Sequence, residues 1–224
     1  YYLAHQPGGL TDNAFLADPD SSVRTRNWFQ VDWNLAAMNI DHEINSNTKI
    51  NSRFFGLIAS RNSLGYLDRI SRIDPMKERN LISGLFKNIG NETRVVHLYE
   101  PFSIPWAFVL GIRAYKGSNI SEQGDANDQS GPDFYFLENS VNRNETYYEF
   151  PSFNFSAFAE HIFNINNKLS ITPGIRYEYI STSAEGRYRL AQADGAGNIF
   201  FDTTINVSKN QNRGFLIGGI GINY

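Results

Sequence analysis

The chain contains no cysteine in its 224 residues, which excludes disulfides and thiolate metal sites. No run of about 18 apolar residues exists, so no transmembrane helix can be drawn. Charge is sparse and nearly balanced, with a formal net charge of -3 and no basic block; a nucleic-acid partner is therefore not expected. The opening "YYLAHQPGGL" has neither the basic start nor the apolar stretch of a signal peptide.

Aromatic residues are abundant, with 17 Phe, 12 Tyr and 3 Trp, and so are Asn, Ser and Gly. Apolar residues make up 41% and charged residues 19%, too balanced for a disordered chain. The mean hydropathy of -0.40 argues against membrane helices but not against membrane strands. Strands of a membrane barrel alternate oily and polar residues, which keeps the average low.

Alternation is what the sequence shows. In "LSITPGIRYEYI" (Leu169 to Ile180) one face carries Leu169, Ile171, Pro173, Ile175, Tyr177 and Tyr179. The other carries Ser170, Thr172, Gly174, Arg176 and Glu178. Period two recurs from Asn27 to Ile44, Lys49 to Ser60, Glu92 to Tyr99, Pro105 to Tyr115, Tyr147 to Ile165 and Phe215 to Tyr224. In the first of these the apolar phase slips at Ala36 and Ala37, which predicts either a bulge or a strand leaving an oily zone. Short connections ("NSNT", "EPFSI", "NNK") alternate with polar stretches from Arg61 to Asn91, Lys116 to Thr146 and Ser181 to Gly214. Long structureless loops are unusual in compact soluble domains, whereas short turns alternating with large loops mark an outer-membrane barrel. The expected strands are about 9–11 residues long. "LGIRAY" at Leu110 and "PGIRYEY" at Pro173 repeat glycine, arginine and an aromatic at the same steps, as equivalent ascending strands would.

Energy orients the faces. An arginine facing lipid near the bilayer midplane costs about 2–4 kcal/mol. Arg113 and Arg176 are therefore expected to face a watery lumen, with Ile112, Ile175 and Tyr177 toward lipid. Trp28, Trp106, Tyr115 and Tyr179 suit the interfacial aromatic girdles. A soluble sandwich with the oily face turned inward, acting as an adhesin or structural module, is the alternative; so is a small self-contained barrel.

Several segments resemble TonB-dependent receptors of the ferric citrate type: "QPGGLTDNAFLADPDSSVRTRNWF", "SRNSLGYL", "LISGLFKNIGNETRVVHLYE", "LGIRAYKG", "FSAFAEHIFNINNKLSITPGIRYEYI" and "FLIGGIGINY". They occur in the family's order and cover most of the chain. The resemblance implies an all-β fold in which residues 1–224 form an antiparallel transmembrane barrel segment. It would supply about 7–8 strands of a barrel of about 22, with the plug domain and TonB box absent. It further implies uptake of a ferric chelate across the bacterial outer membrane, driven by the TonB complex, with no covalent chemistry and no cofactor.

Ferric citrate and most siderophores are anionic, and guanidinium groups bind carboxylates through paired hydrogen bonds. The candidate ligand-binding residues are Arg24 and Arg26 at the lumen mouth, Arg61 in the following loop with Arg69 and Arg72, and Arg113 and Arg176 in the lumen. Solvation or pairing with neighbours such as Glu178 is the competing reading of each. The histidines, His5, His42, His97 and His161, form no metal-spaced pair. His161 is expected at the periplasmic interface. Ser60 and His97 fall on different strands with nothing to join them as a hydrolase pair. Asp125 and Asp128 lie in a polar stretch, and "GGIG" lacks the lysine and helix of a phosphate loop.

Overall fold

The computed structural model describes residues 1–4, 10–22, 24–68, 72–138 and 145–224. Arg69 and His5 lie outside the described residues. The alternating segments form one antiparallel sheet of eight strands in sequence order. A two-residue stub, β1 (Tyr2–Leu3), precedes seven long strands: β2 (Trp28–Asn45), β3 (Thr48–Gly65), β4 (Arg79–Tyr99), β5 (Trp106–Ala126), β6 (Thr146–Asn164), β7 (Ser170–Ala193) and β8 (Ile199–Asn223). Among the described residues no pairing joins β8 to β1. Among the described residues one α-helix, α1 (Asp12–Ala17), starts at Thr11, whose hydroxyl accepts from the Ala14 amide, and no described helix could cross a membrane.

The strands run 18 to 25 residues, about twice the expected length. The polar stretches read as long loops are mostly strand. β3 continues to Gly65, β5 to Ala126 and β7 to Ala193, leaving connections at 66–78, 127–145 and 194–198. The reason is that oily–polar alternation marks a strand only where its two faces differ in character. Beyond that zone Asn, Ser, Gly and Asp fill both faces while the backbone ladder continues unbroken. The last hairpin closes in a tight turn, where Asp194 accepts backbone bonds from Ala196 and Asn198.

No bulge lies at Ala36 and Ala37. β2 pairs with β3 in unbroken register from Trp28↔Leu64 to Glu43↔Lys49, and the shift falls between Glu43 and Asn45. The phase slip is therefore a change in which face of a regular strand is oily.

Register assigns every strand residue to a face. Cross-strand partners point the same way, so Ile175 shares its face with Ala159, Leu110 and Val95. Arg176 shares the other with Phe158, Gly111 and Arg94. On β5 the two faces differ in crowding. Leu110, Ile112, Ala114 and Lys116 are exposed, whereas Gly111 and Gly117 are buried and Arg113 and Tyr115 half-buried. Side chains converge on the concave side of a curved sheet, so the Arg176 face is concave and the Ile175 face convex. Ile175 is 52% exposed and Ile220 72%; no dry centre covers the oily face, and a sandwich is excluded.

Candidate functional site

The concave face carries a row of charged and polar side chains in direct register. Arg53 on β3 pairs with Glu92 on β4, Glu92 with Arg113 on β5, Arg113 with Ser156 on β6, and Ser156 with Glu178 on β7. The next row on the same face holds Arg94, Gly111, Phe158 and Arg176. Arg113 and Arg176 thus flank β6 from opposite sides. Arg176 donates to the Ser156 hydroxyl at 2.8 Å and to Glu178, which also accepts from Asn154 at 2.9 Å. Glu92 contacts Arg94 and lies 3.8 Å from Arg113.

Aromatic rings form the bed beneath these guanidinium groups. Arg94 and Arg176 lie over Phe158, 5.9 and 5.2 Å from its centroid, and Arg113 lies 5.6 Å from that of Phe55. The rings rest directly on glycine backbone: a Cβ on Gly111 would meet Phe158 at 2.2 Å and one on Gly90 would meet Phe55 at 2.4 Å. The vertical order matters for chemistry. The arginine side chains are 31–51% exposed (Arg176, Arg113, Arg94), while Glu92 and Glu178 are 18% and 13% exposed. Carboxylates are tucked between the strands and guanidinium tips stand above them. The surface offered to a solute is cationic, because three guanidinium groups stand over two carboxylates and Glu92 is shared by Arg94 and Arg113.

The other candidates are placed differently from expectation. Arg61 is not in a loop; it sits on β3, opposite Val31 and Gly84, on the Arg176 face nearer the loop end. Arg24 and Arg26 are not open at the mouth, being 0% and 1% exposed. Arg24 donates to the carbonyls of Tyr66, Arg72 and Asp68 at 3.1, 2.6 and 3.1 Å and stacks on the Tyr66 ring. Arg26 forks onto Asp74 at 2.7 and 2.6 Å and donates to the carbonyls of Asp128 and Lys77. Burial forces this outcome: a guanidinium removed from water must fill its donors with protein acceptors, and loop carbonyls supply them. The Arg26 hydrogen bonds hold the Asp74 carboxyl below its ordinary range, with the Met76 amide adding to the effect and burial opposing it.

Arg79, not singled out in the sequence, completes this group. It is fully buried and donates to the carbonyls of Asn127, Gly131 and Arg26 and to the Asn127 side chain. Arg72 pairs with Asp68 at 2.7 Å. Together these residues stitch connections 66–78 and 127–138 to the chain before β2. Trp28 is part of the same seam: its indole donates to the Ser130 carbonyl, and its ring packs against Leu64, Leu81 and Ala126.

At the opposite ends of the strands the convex face holds an aromatic belt. Tyr99, Trp106 and Phe163 lie near His161, whose ring stacks on Phe163 at 3.8 Å and bonds Tyr99. Tyr115 is not in any belt; it is on the concave face, stacked on Phe55 at 6.3 Å. Ser60 pairs with Leu85 while His97 pairs with Thr48, about twelve strand steps or roughly 40 Å apart. They do not form a catalytic pair. Asp128 contributes its carbonyl to Arg26, and no three His, Asp or Glu side chains converge among the described residues.

No family model matches the chain, and no curated protein matches it either. Solved structures do. The unliganded ferric citrate transporter FecA aligns with a TM-score of 0.60 at 20% identity, over 94% of this chain and 28% of that one. The ferric-catecholate import receptor Fiu from E. coli K12 aligns in its open form at 0.61 and 17% identity, over 91% of this chain and 35% of Fiu. Its closed form gives 0.60 and 16%. The chain therefore spans about a third of the length of these proteins and shares the fold of a stretch of each.

Proposed function

We propose that this chain is wall and outer loop of an outer-membrane receptor that takes up an anionic ferric chelate. In this reading residues 1–224 are one section of a larger barrel, and the plug and TonB-box segment belong to other parts of the parent protein. The observation that carries the reading is the cationic concave face within a fold shared with two ferric-chelate proteins. Arg94, Arg113 and Arg176 present guanidinium tips over Phe158 and Phe55, with their carboxylate partners recessed. Such a face attracts carboxylate-rich or phenolate-rich iron complexes by charge and by bidentate hydrogen bonding. The proposal assigns the chain no covalent chemistry.

Ferric citrate or a similar carboxylate siderophore is the finer assignment, supported by the match of planar guanidinium groups to carboxylates. Arg61, Arg113 and Arg176 are assigned to the path of the chelate. Arg24 and Arg26 act on it indirectly, by holding the loops that frame the entrance. The convex face contacts lipid, and the aromatic belt around Trp106 and His161 lies at the periplasmic interface.

Calorimetric titration of the parent receptor with ferric citrate, a ferric catecholate and a neutral iron complex tests the proposal. Replacing Arg113 and Arg176 together by Ala is expected to weaken binding of the preferred anionic chelate by roughly tenfold or more, because one charged hydrogen bond is worth about 1.5–3 kcal/mol. Equal affinity in the wild type and the double variant, or a preference for the neutral complex, contradicts it.

A further inference from the structure

The convex face holds a feature that chelate uptake does not use. A hollow of about 790 Å3 is bounded by Ile58, Ile89, Lys87 and Lys116 around Ala36 and Gly56. Register makes these two contiguous rows: Ala36, Gly56, Ile89 and Lys116 in one, and Ile58 and Lys87 in the other, flanked by Asn34 and Ser118. The small residues make the floor low. The isoleucines beside it are 61% and 67% exposed.

The level of the hollow follows from geometry. From Trp106 in the periplasmic belt to Lys116 is ten strand residues, roughly 33 Å along the strand. At a tilt of about 40° this is roughly 25 Å of height, the thickness of the apolar band of such barrels. Lys116 therefore stands at the outer headgroup level, with Lys87 beside or just above it. Both lysines are exposed, and neither has a hydrogen-bond or ion-pair partner in the described structure. The remaining strand cations of this face are engaged: Arg187 with Glu145 at 3.7 Å, Arg189 with Asp202, and Arg79 with loop carbonyls. Two unpaired cations at headgroup height, above an apolar hollow with a glycine floor, complement one kind of molecule: a lipid with an anionic phosphate head.

We infer that Lys87 and Lys116 bind the phosphate head of an outer-leaflet lipid whose acyl chain lies in the hollow over Ala36 and Gly56. The inference rests on the membrane orientation proposed above but not on the identity of the chelate. A long side chain at position 56 would occupy the acyl position, whereas a Cβ alone would lie 3.4 Å from its nearest neighbour, the Asn88 carbonyl oxygen.

The test is native mass spectrometry of the detergent-purified parent receptor titrated with phosphatidic acid, with phosphatidylcholine of the same chains, and with inorganic phosphate. Phosphatidic acid is expected to bind roughly twentyfold more tightly than phosphatidylcholine, from two lysines at the headgroup level. The Lys87→Gln, Lys116→Gln double variant should lose that preference, and the double Arg variant should keep it. Gly56→Leu, which fills the hollow and leaves the charges, should weaken both lipids. Equal binding of the two lipids, a preference that survives the double Gln variant, or inorganic phosphate binding as tightly as the lipid overturns the inference. Chelate titration of the same Gln variant should match wild type, so failure here is distinguishable from failure of the receptor reading.

Discussion

The two ends of the sheet are held together by opposite means. At the short-turn end, Tyr99, Trp106, His161 and Phe163 pack edge-to-face and stacked on the convex side. The connections there are a few residues long and need little support. At the loop end three buried arginines, Arg24, Arg26 and Arg79, fasten irregular chain through its carbonyl oxygens. Among the described residues a small apolar cluster of Leu64, Leu81 and Ala126, with Trp28, Phe134 and Phe136 packed on it, assists them. An aromatic belt suits a position between hydrocarbon and water, where amphipathic rings are favoured. A loop in water has backbone groups in surplus and apolar surface in deficit, so a donor-rich side chain becomes its core. Arginine stands half exposed over aromatic rings on the concave wall and acts as a buried structural clamp at the loop end, where Arg79 lies opposite Ala126.

That contrast can be broken at either end. The largest effect should come from Arg26→Ala, which leaves the Asp74 carboxylate buried without its partner. A loss of about 3–5 kcal/mol is expected, read as a lowered urea midpoint of the parent receptor in lipid and as new protease cuts within 66–78 and 127–138. Reversing polarity at the oily level comes next: Ile175→Arg should cost about 2–4 kcal/mol in the same unfolding measurement, whereas Arg176→Leu should cost far less and act mainly on chelate binding. Trp106→Ala at the belt should cost about 1–2 kcal/mol through lost ring contacts and leave the loop end resistant to protease.

The smallest effect is a pH dependence confined to the loop end. The Asp74 carboxyl is held below its unfolded value by Arg26, so its contribution is present above the ordinary carboxylate range and fades as pH falls through the depressed folded value. Protease resistance of connection 66–78 should therefore drop in acid below about pH 4, before the aromatic belt responds. Asp74→Asn should be less resistant at neutral pH and should flatten that dependence.

Sequence alone revealed the seven oily–polar strands and the separation of Ile175 from Arg176, because an oily face opposite a polar one imposes period two. It did not reveal how far strands run past the alternating zone. Between Lys116 and Ala126, and between Ser181 and Ala193, both faces carry polar residues and nothing forces alternation. It exposed Arg113 and Arg176 through the repeated Gly-Ile-Arg step. Their companions Glu92, Arg94 and Ser156 were missed, although Glu92 and Arg94 stand two apart on one strand and so share a face. Arg24 and Arg26 were recognised as special but not as clamps, since their acceptors, Asp74 and the carbonyls of residues 68, 72, 77 and 128, are distant in sequence. Arg79 carries no local signal at all; its partners are supplied by the 127–131 connection and the Arg26 carbonyl.

Orientation of the two faces is the claim on which the rest stands, and a chain without cysteine of its own lets one labelling site be placed on either face. Single variants Ile175→Cys and Arg176→Cys of the parent receptor would be labelled with a fluorophore and reconstituted in vesicles containing brominated lipid. Strong quenching at position 175 with little at position 176, and the reverse with a water-soluble quencher, is the predicted result. Equal quenching at the two positions, or lipid quenching confined to position 176, would contradict the account.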